Sequence, residues 1–150
     1  MAARKPLVIG TNGLPEQLQA ADTLDASTGG KDIINLTNAN AGNLVLGEPV
    51  YISASGSMDK AQANAAATAK VIGFVADATV ATGAVGACQT DGVLSGLTGL
   101  TPGASYFLDA TTAGAMTTTA PITAGQFNVH LGTAISATEL EISIKNPVRL

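Results

Sequence analysis

The stretch Gly99-Leu100-Thr101-Pro102-Gly103-Ala104-Ser105-Tyr106-Phe107-Leu108 joins the clearest turn signal in this chain of 150 residues to its densest aromatic segment. Proline holds φ near about −65° and glycine accepts positive φ, so Pro102 and Gly103 suit the two central positions of a type II turn. A strand is therefore expected to begin near Ser105. The chain on either side has the same character, with short β-type runs separated by turn residues, which is typical of a mainly β protein.

Towards the C-terminus, two runs carry apolar residues at every second position, as strands with one buried face do. The two apolar sets are Phe127, Val129, Leu131, Thr133 and Ile135 in the first run, and Leu140, Ile142 and Ile144 in the second. A four-residue loop over 136–139 would place Ile135 opposite Leu140 and Thr133 opposite Ile142. The pattern therefore predicts an antiparallel hairpin in which both apolar faces coincide.

Towards the N-terminus, Val71-Ile72-Gly73-Phe74-Val75-Ala76 is apolar on both alternating faces, which indicates a central strand covered on both sides. Gly73 within it predicts a bulge or the close approach of another backbone. The Ala-rich segment 61–69 allows at most one short helix. We therefore predict that residues 47–150 form a small antiparallel β-barrel or β-sandwich.

Residues 1–46 differ from the rest, because their short apolar runs are interrupted by Gly, Ser and Asn clusters without a sustained period. Leu7-Val8-Ile9 is followed by the turn signal Thr11-Asn12-Gly13, and the stretch from 35 to 43 is rich in Asn. We expect an extended N-terminal arm that needs something to lie against. Two interpretations stay open: the arm binds another molecule, or it wraps its own domain.

The composition limits the classes of partner. Hydrophobic residues make up 46% of the chain and charged residues 12%, and the net charge is −4. An acidic chain is a poor ligand for duplex nucleic acid, which is bound through neutralised phosphates. The uncharged run from 110 to 138 is long enough to span a bilayer, but its Gly, Pro and Thr content is that of strands and turns. We expect no nucleic acid partner, no membrane partner and no secretory signal.

Candidate chemistry is sparse. Ser57 and Lys60 match a Ser-x-x-Lys spacing, but the Ser-Asp-Asn and Lys-Thr-Gly motifs that accompany it in hydrolases are absent. His130 is the only histidine and Cys88 the only cysteine, so neither a zinc site nor an internal disulfide is predicted. Cys88 lies in a β-like run and is expected to be a small buried hydrophobe, with a reactive thiol as the alternative. We predict no catalytic residue, no cofactor and no metal ligand, and a small hydrolase is only a distant alternative.

Three groups of segments resemble proteins of tailed-bacteriophage virions. Pro6 to Ile9, Gly13 and Gln17 to Leu24 resemble an N-terminal phrase common in such proteins, with Ala21 where glycine is usual. Gly47 to Ile52, Ala61 to Ala63 and Val71 to Ala76 are similar to small capsid decoration (cement) proteins. Gly99 to Gly103, Tyr106 to Leu108, Thr117 to Pro121 and Gly132 to Leu140 occur in decoration proteins and also in phage fibre proteins.

The resemblance implies a structural, non-enzymatic protein of the virion, made in the bacterial cytoplasm and bound to the outer surface of the capsid. Its partners would be the major capsid protein and further copies of itself, with a homotrimer favoured. The alternative is a tail-fibre or baseplate component. The capsid-contact candidates are two cations and five apolar residues of the arm, namely Arg4, Lys5, Leu7, Val8, Ile9, Leu14 and Leu18.

Overall fold

The computed structural model describes residues 30–150, together with two short strands before them, β1 (Leu7–Ile9) and β2 (Pro15–Gln17). These two strands pair with each other in antiparallel orientation. All the regular structure in the described residues is β-strand, which confirms a mainly β fold. The remaining strands are β3 (Asp32–Asn38), β4 (Leu44–Val45), β5 (Pro49–Ala54), β6 (Ser57–Lys60), β7 (Val71–Val75), β8 (Thr79–Val80), β9 (Val85–Asp91), β10 (Val93–Ser95), β11 (Ser105–Leu108), β12 (Met116–Thr117), β13 (Phe127–Asn128), β14 (His130–Ala134), β15 (Glu139–Ile142) and β16 (Val148–Arg149).

Five strands close into a barrel in the order β3-β6-β5-β7-β9. Four of the five pairings are antiparallel, and β3 pairs with β6 in parallel, so the barrel is not purely antiparallel as predicted. Gly73 is buried where β7 meets β9, and a Cβ there would lie 2.8 Å from the Cys88 Sγ and overlap the Gln89 carbonyl oxygen. The close backbone approach predicted at Gly73 is therefore confirmed.

The inside of the barrel is filled by small and medium apolar side chains, as the low aromatic content requires. The buried cluster consists of Leu36, Leu44, Val50, Met58, Val75, Val80 and Cys88. One end of the barrel is closed by the pairing of β4 with β8, in which Leu44 lies opposite Val80. We call the β4–β8 pair the plug of the barrel. The buried Asn38 amide of β3 donates to the carbonyl oxygens of Val80 at 2.9 Å and Gly42 at 3.0 Å, so β3 is hydrogen-bonded to the plug.

A second, five-stranded sheet has the order β10-β15-β14-β11-β12 and is antiparallel throughout. Its inner face and the outside of the barrel share one apolar core around Phe74, which β7 presents away from the barrel interior. Tyr106, Leu108, Leu131 and Leu140 supply the sheet's part of that core. The barrel and the second sheet therefore bury each other. A separate two-stranded sheet pairs β13 with β16.

The turn at Pro102 forms as predicted. The Ala104 N–H donates to the Thr101 carbonyl at 3.0 Å, and Gly103 has φ of 81°, the requirements of a type II turn. Strand β11 begins at Ser105. The Thr101 N–H also donates to the Tyr106 hydroxyl at 3.0 Å, so the buried tyrosine holds the turn that precedes it.

The predicted hairpin over 127–144 exists, but its register is wrong by one residue. Ala134 lies opposite Leu140 and Gly132 opposite Ile142, and Ile135 is half exposed. The cause is an irregularity in the pairing of β14 with β11, where successive residues of β11 pair with Gly132 and His130. Such a bulge reverses the alternation, so Ala134 rather than Ile135 faces the core.

The predicted boundary of the arm at residue 46 is also wrong. Strand β3 pairs with β9 along its whole length, and Leu36 and Leu44 are buried inside the barrel. Residues 32–46 therefore belong to the folded domain. The prediction for residues 1–29 lies outside the described residues, apart from β1 and β2. The Ala-rich segment 61–69 forms turns and not a helix.

Candidate partner-binding surface

The predicted capsid contacts lie in the N-terminal segment. Arg4, Lys5, Leu14 and Leu18 are outside the described residues, while Leu7, Val8 and Ile9 form β1. In the antiparallel pair, Leu7 lies opposite Gln17, Val8 opposite Glu16 and Ile9 opposite Pro15. Within the part of the chain that the structure describes, β1 and β2 pair with each other and with no further strand. A two-stranded pair alone is marginally stable in water, so this one is suited to lie against another surface.

Two regions of the described domain expose groups of large apolar side chains, and Val45, Val85 and Ile135 are exposed elsewhere. At one end of the barrel, opposite the β4–β8 plug, Ile33, Ile34 and Ile52 are 47%, 38% and 43% exposed. Near the C-terminus, Ile122, Val148 and Leu150 are exposed around the β13–β16 sheet. The first region was not predicted, because residues 32–38 were assigned to the extended N-terminal arm. The available signal was the β-branched pair Ile33-Ile34 followed by Leu36, which an Asn-rich context obscured.

The geometry of Ser57 and Lys60 contradicts a Ser-x-x-Lys nucleophile. Both residues lie on strand β6, where positions three apart point to opposite faces of the sheet. The Lys60 Nζ is 2.7 Å from the Glu48 Oε1, so its ammonium group forms an ion pair away from the serine. The spacing that would align serine and lysine on a helix therefore separates them on this strand.

His130 and Cys88 have structural environments. The His130 Nδ1 lies 3.0 Å from the Ser143 carbonyl oxygen, and its ring meets the edge of Phe107 with the centroids 5.5 Å apart. Cys88 is buried in the barrel, and burial raises the pKa of its thiol to about 12. The thiol is therefore protonated at neutral pH and buried like an apolar side chain, as predicted.

The aspartates near strand ends hold turns. The Asp109 carboxylate accepts hydrogen bonds from the Thr111 hydroxyl and N–H, both at 2.6 Å, and from the Thr112 N–H at 3.0 Å. The Thr111 hydroxyl, with those two N–H groups, holds the pKa of Asp109 below its usual range. Asp77 accepts from the Ala87 N–H at 2.8 Å. Among the described residues, no group of three or more His, Cys, Asp or Glu side chains is placed to hold a metal ion.

A shallow depression of about 300 Å³ lies where the plug of the barrel meets the second sheet. Leu46, Leu97 and Leu100 line it, together with Met116 of β12. Gly47 and Gly96 allow the two parts to approach here, because a Cβ on Gly47 would overlap the Leu97 side chain. The depression is a seam between two parts of one domain, and its lining offers apolar contacts and no ionisable side chain.

Comparison with known proteins adds no relative. A scan of the chain against protein-family models finds no match, and a search among curated proteins finds none either. Over the strands and turns that the structure describes, no helix is long and apolar enough to cross a membrane. Among the described residues, the features that bear on binding are the N-terminal strand pair and the two groups of exposed apolar side chains, at one end of the barrel and around the β13–β16 sheet.

Proposed function

We propose that this chain is a decoration protein of a tailed-bacteriophage capsid, a structural protein that binds the outer surface of the head and stabilises contacts between capsomers. The proposal rests on the resemblance to proteins of phage virions that is carried by residues 6–9, 13, 17–24, 47–52, 61–63, 71–76, 99–103, 106–108, 117–121 and 132–140. Those segments include β1 and strands of the barrel and the second sheet. The proposed protein has no enzymatic step and needs no cofactor.

The division of the chain supports this role. From β3 onwards, the barrel and the second sheet share one core and form a compact body. Before it lies a segment with Leu7, Val8 and Ile9 in a strand whose described pairing is limited to β2. An apolar strand of this kind contributes both backbone hydrogen bonds and side-chain burial when it lies on another protein. In the proposal, the body lies on the outer surface of the capsid and the N-terminal segment binds the major capsid protein.

Two cations precede the proposed contact strand. Arg4 and Lys5 lie before β1, whereas the whole chain carries a net charge of −4. An acidic patch of the capsid surface would attract this pair of cations. The protein would act as a homotrimer on the outside of the head, after synthesis in the cytoplasm of the bacterial host.

Co-sedimentation with phage heads tests the proposal. We expect the chain to pellet with expanded, mature heads and not with immature heads, because the bridged surface sites would form only on expansion. A chain lacking residues 1–29 retains every element from β3 onwards and should remain folded but lose head binding. Binding to isolated tails and not to heads would overturn the proposal in favour of the fibre or baseplate alternative. Equal binding by the shortened chain would overturn the role of the N-terminal segment.

A further inference from the structure

Strand β3 has one paired edge and one edge that is open over half its length. The Asn38 N–H points to β9 and donates to the Ala84 carbonyl at 2.8 Å, whereas the Thr37 N–H points the other way and donates to Gly56 at 2.9 Å. Backbone groups alternate along a strand, so Ile33 and Asn35 present their N–H and C=O groups to the same side as Thr37. Strand β6 pairs with β3 on that side only at Thr37 and Asn38.

We call the backbone of Ile33 and Asn35 on this side the open edge of β3. Among the described strands none pairs with it, and residues 32 to 35 are all exposed. Ile33 and Ile34 flank it with apolar side chains, and Ile52 is exposed at the same end of the barrel. An exposed edge with β-branched apolar residues and no proline is a template for the addition of another strand.

The open edge begins beside two like charges. Asp32 of β3 and Asp91 of β9 lie directly opposite each other, and both are exposed. Opposed carboxylates on neighbouring strands repel each other. Lys31 precedes this pair but leaves it with one excess negative charge. A strand that brings a cation next to Asp32 would therefore relieve the repulsion as it pairs.

Strand β1 matches the open edge in its backbone groups. Pro15 has no N–H, so its pairing with Ile9 cannot carry both ladder bonds, and the hydrogen-bonded pair is the neighbouring Val8 with Glu16. The N–H and C=O groups of Leu7 and Ile9 then face away from β2. In a parallel alignment with Pro6 beside Ile33, the Leu7 N–H meets the Ile33 C=O, and the Leu7 C=O meets the Asn35 N–H. The Ile33 N–H meets the Lys5 C=O, the missing N–H of Pro6 is not needed, and Lys5 lies beside Asp32. The alignment ends at Val8, because Gly56 lies beside Leu36 and accepts from the Thr37 N–H at 2.9 Å.

In the chain itself, β1 and β3 belong to separate sheets. We propose that residues 5–8 of one copy add as a strand, parallel to β3, to the open edge of β3 in a second copy. The addition joins copies of the chain through at most three backbone hydrogen bonds, the burial of exposed isoleucines and the pairing of Lys5 with Asp32. It uses the backbone of β1 and leaves one face of its side chains for a capsid, so it stands whether or not the proposed function holds.

Asn35→Pro tests the backbone contact directly. The substitution removes an N–H that faces the open edge and not β9, while Asn35→Ala keeps that N–H and serves as the matched control. We expect the parent and Asn35→Ala to sediment as oligomers and Asn35→Pro to associate roughly tenfold more weakly. A native circular dichroism spectrum and an unreactive Cys88 establish that each variant is folded. Equal association of a folded Asn35→Pro, or a monomeric parent, would overturn the proposal.

Disulfide trapping identifies the occupant. Chains carrying Leu7→Cys and Cys88→Ala are mixed with affinity-tagged chains carrying Ile34→Cys and Cys88→Ala, since positions 7 and 34 lie side by side in the parallel alignment. Cys88 is replaced because it lies opposite Ile34 on β9 and could capture the new thiol. We expect a cross-link between the two kinds of chain under mild oxidation and none when Leu7→Cys is replaced by Gln19→Cys. A cross-link that forms only within a chain carrying both substitutions would show docking on its own barrel and would overturn the proposal, as would no cross-link at all.

Discussion

The barrel and the second sheet bury their apolar side chains in different ways. The barrel, built from β3, β5, β6, β7 and β9, encloses its own small core and is closed at one end by the β4–β8 pair. The second sheet has one buried face, and its other face carries Glu141, Thr133 and the half-buried pair Phe107 and His130. The barrel therefore tolerates little change in volume inside, while the sheet depends on the barrel for its buried face.

Phe74 connects the two regions, and its loss should have the largest effect. It is fully buried and lies on the barrel strand β7. Its side chain packs in the core that the barrel shares with the second sheet. We expect Phe74→Ala to lower the free energy of unfolding by about 3–5 kcal/mol, measured by urea denaturation. Phe107→Ala on the outer face is the control, and it should cost less than about 2 kcal/mol because that ring is only partly buried.

Cys88 reports whether the two regions separate in the Phe74→Ala variant. Its thiol is buried inside the barrel, so its reaction with a thiol reagent follows the opening of the barrel. We expect this reaction and the loss of the circular dichroism signal to share one urea midpoint. If Cys88 stayed protected after half of the β signal had gone, the barrel would fold without the sheet, and the idea that each buries the other would fail.

Alanine substitutions at two glycines compare how well the barrel and the second sheet accommodate an added side-chain carbon. A Cβ at Gly73 in the barrel would overlap the Gln89 carbonyl oxygen, and one at Gly132 in the second sheet would overlap that of Glu141. A closed barrel cannot spread its strands without breaking its closure, whereas an open sheet can shift. We expect Gly73→Ala to cost about 3 kcal/mol and Gly132→Ala nearer 1 kcal/mol in thermal unfolding.

Gly42→Ala is the control for both glycine substitutions, because its Cβ would meet only the Asn40 side chain, at 3.6 Å. It should change stability by less than about 0.5 kcal/mol. A cost at Gly132 equal to or larger than the cost at Gly73 would contradict the contrast between a rigid barrel and an adaptable sheet.

The smallest expected effect concerns pH and the loop between β11 and β12. Hydrogen bonds from Thr111 and Thr112 lower the pKa of Asp109 from its ordinary value of 3.8. A carboxyl with a lowered pKa stabilises the fold above its ordinary pKa, and that contribution is lost as the pH falls through the lowered value. Asp109→Asn should therefore reduce stability at pH 7, by less than about 1 kcal/mol because Asp109 is partly exposed and solvent screens its charge.

At a pH below the lowered pKa, the parent and Asp109→Asn should unfold at the same temperature. Thr111→Val keeps the Asp109 carboxylate and removes one of its hydrogen-bond donors. At pH 7 it should destabilise the fold by part of the amount that Asp109→Asn does. A gap between the parent and Asp109→Asn that stays constant from pH 7 into the acid range would show that the carboxylate's charge does not hold this loop.

Local chemistry allowed several elements to be predicted. Pro102 and Gly103 specify their turn through backbone preferences alone, so the start of β11 at Ser105 could be read directly. Gly73 within an apolar run indicated a close backbone contact, which the structure places at Gln89. The candidate binding surface was less accessible, because the exposed character of Ile33 and Ile34 follows from a strand that the Asn-rich context concealed.

The fold class, the turn at Pro102 and the burial of Cys88 could be predicted, since each depends on the preferences of a few neighbouring residues. The place of β3 in the barrel could not be predicted, because its partner β9 lies about 50 residues further along the chain. The register of β14 with β15 could not be predicted either, because the alternation of β14 is reversed at an irregularity in its pairing with β11. Pairing between distant strands is set by which edges meet, and no local pattern encodes that.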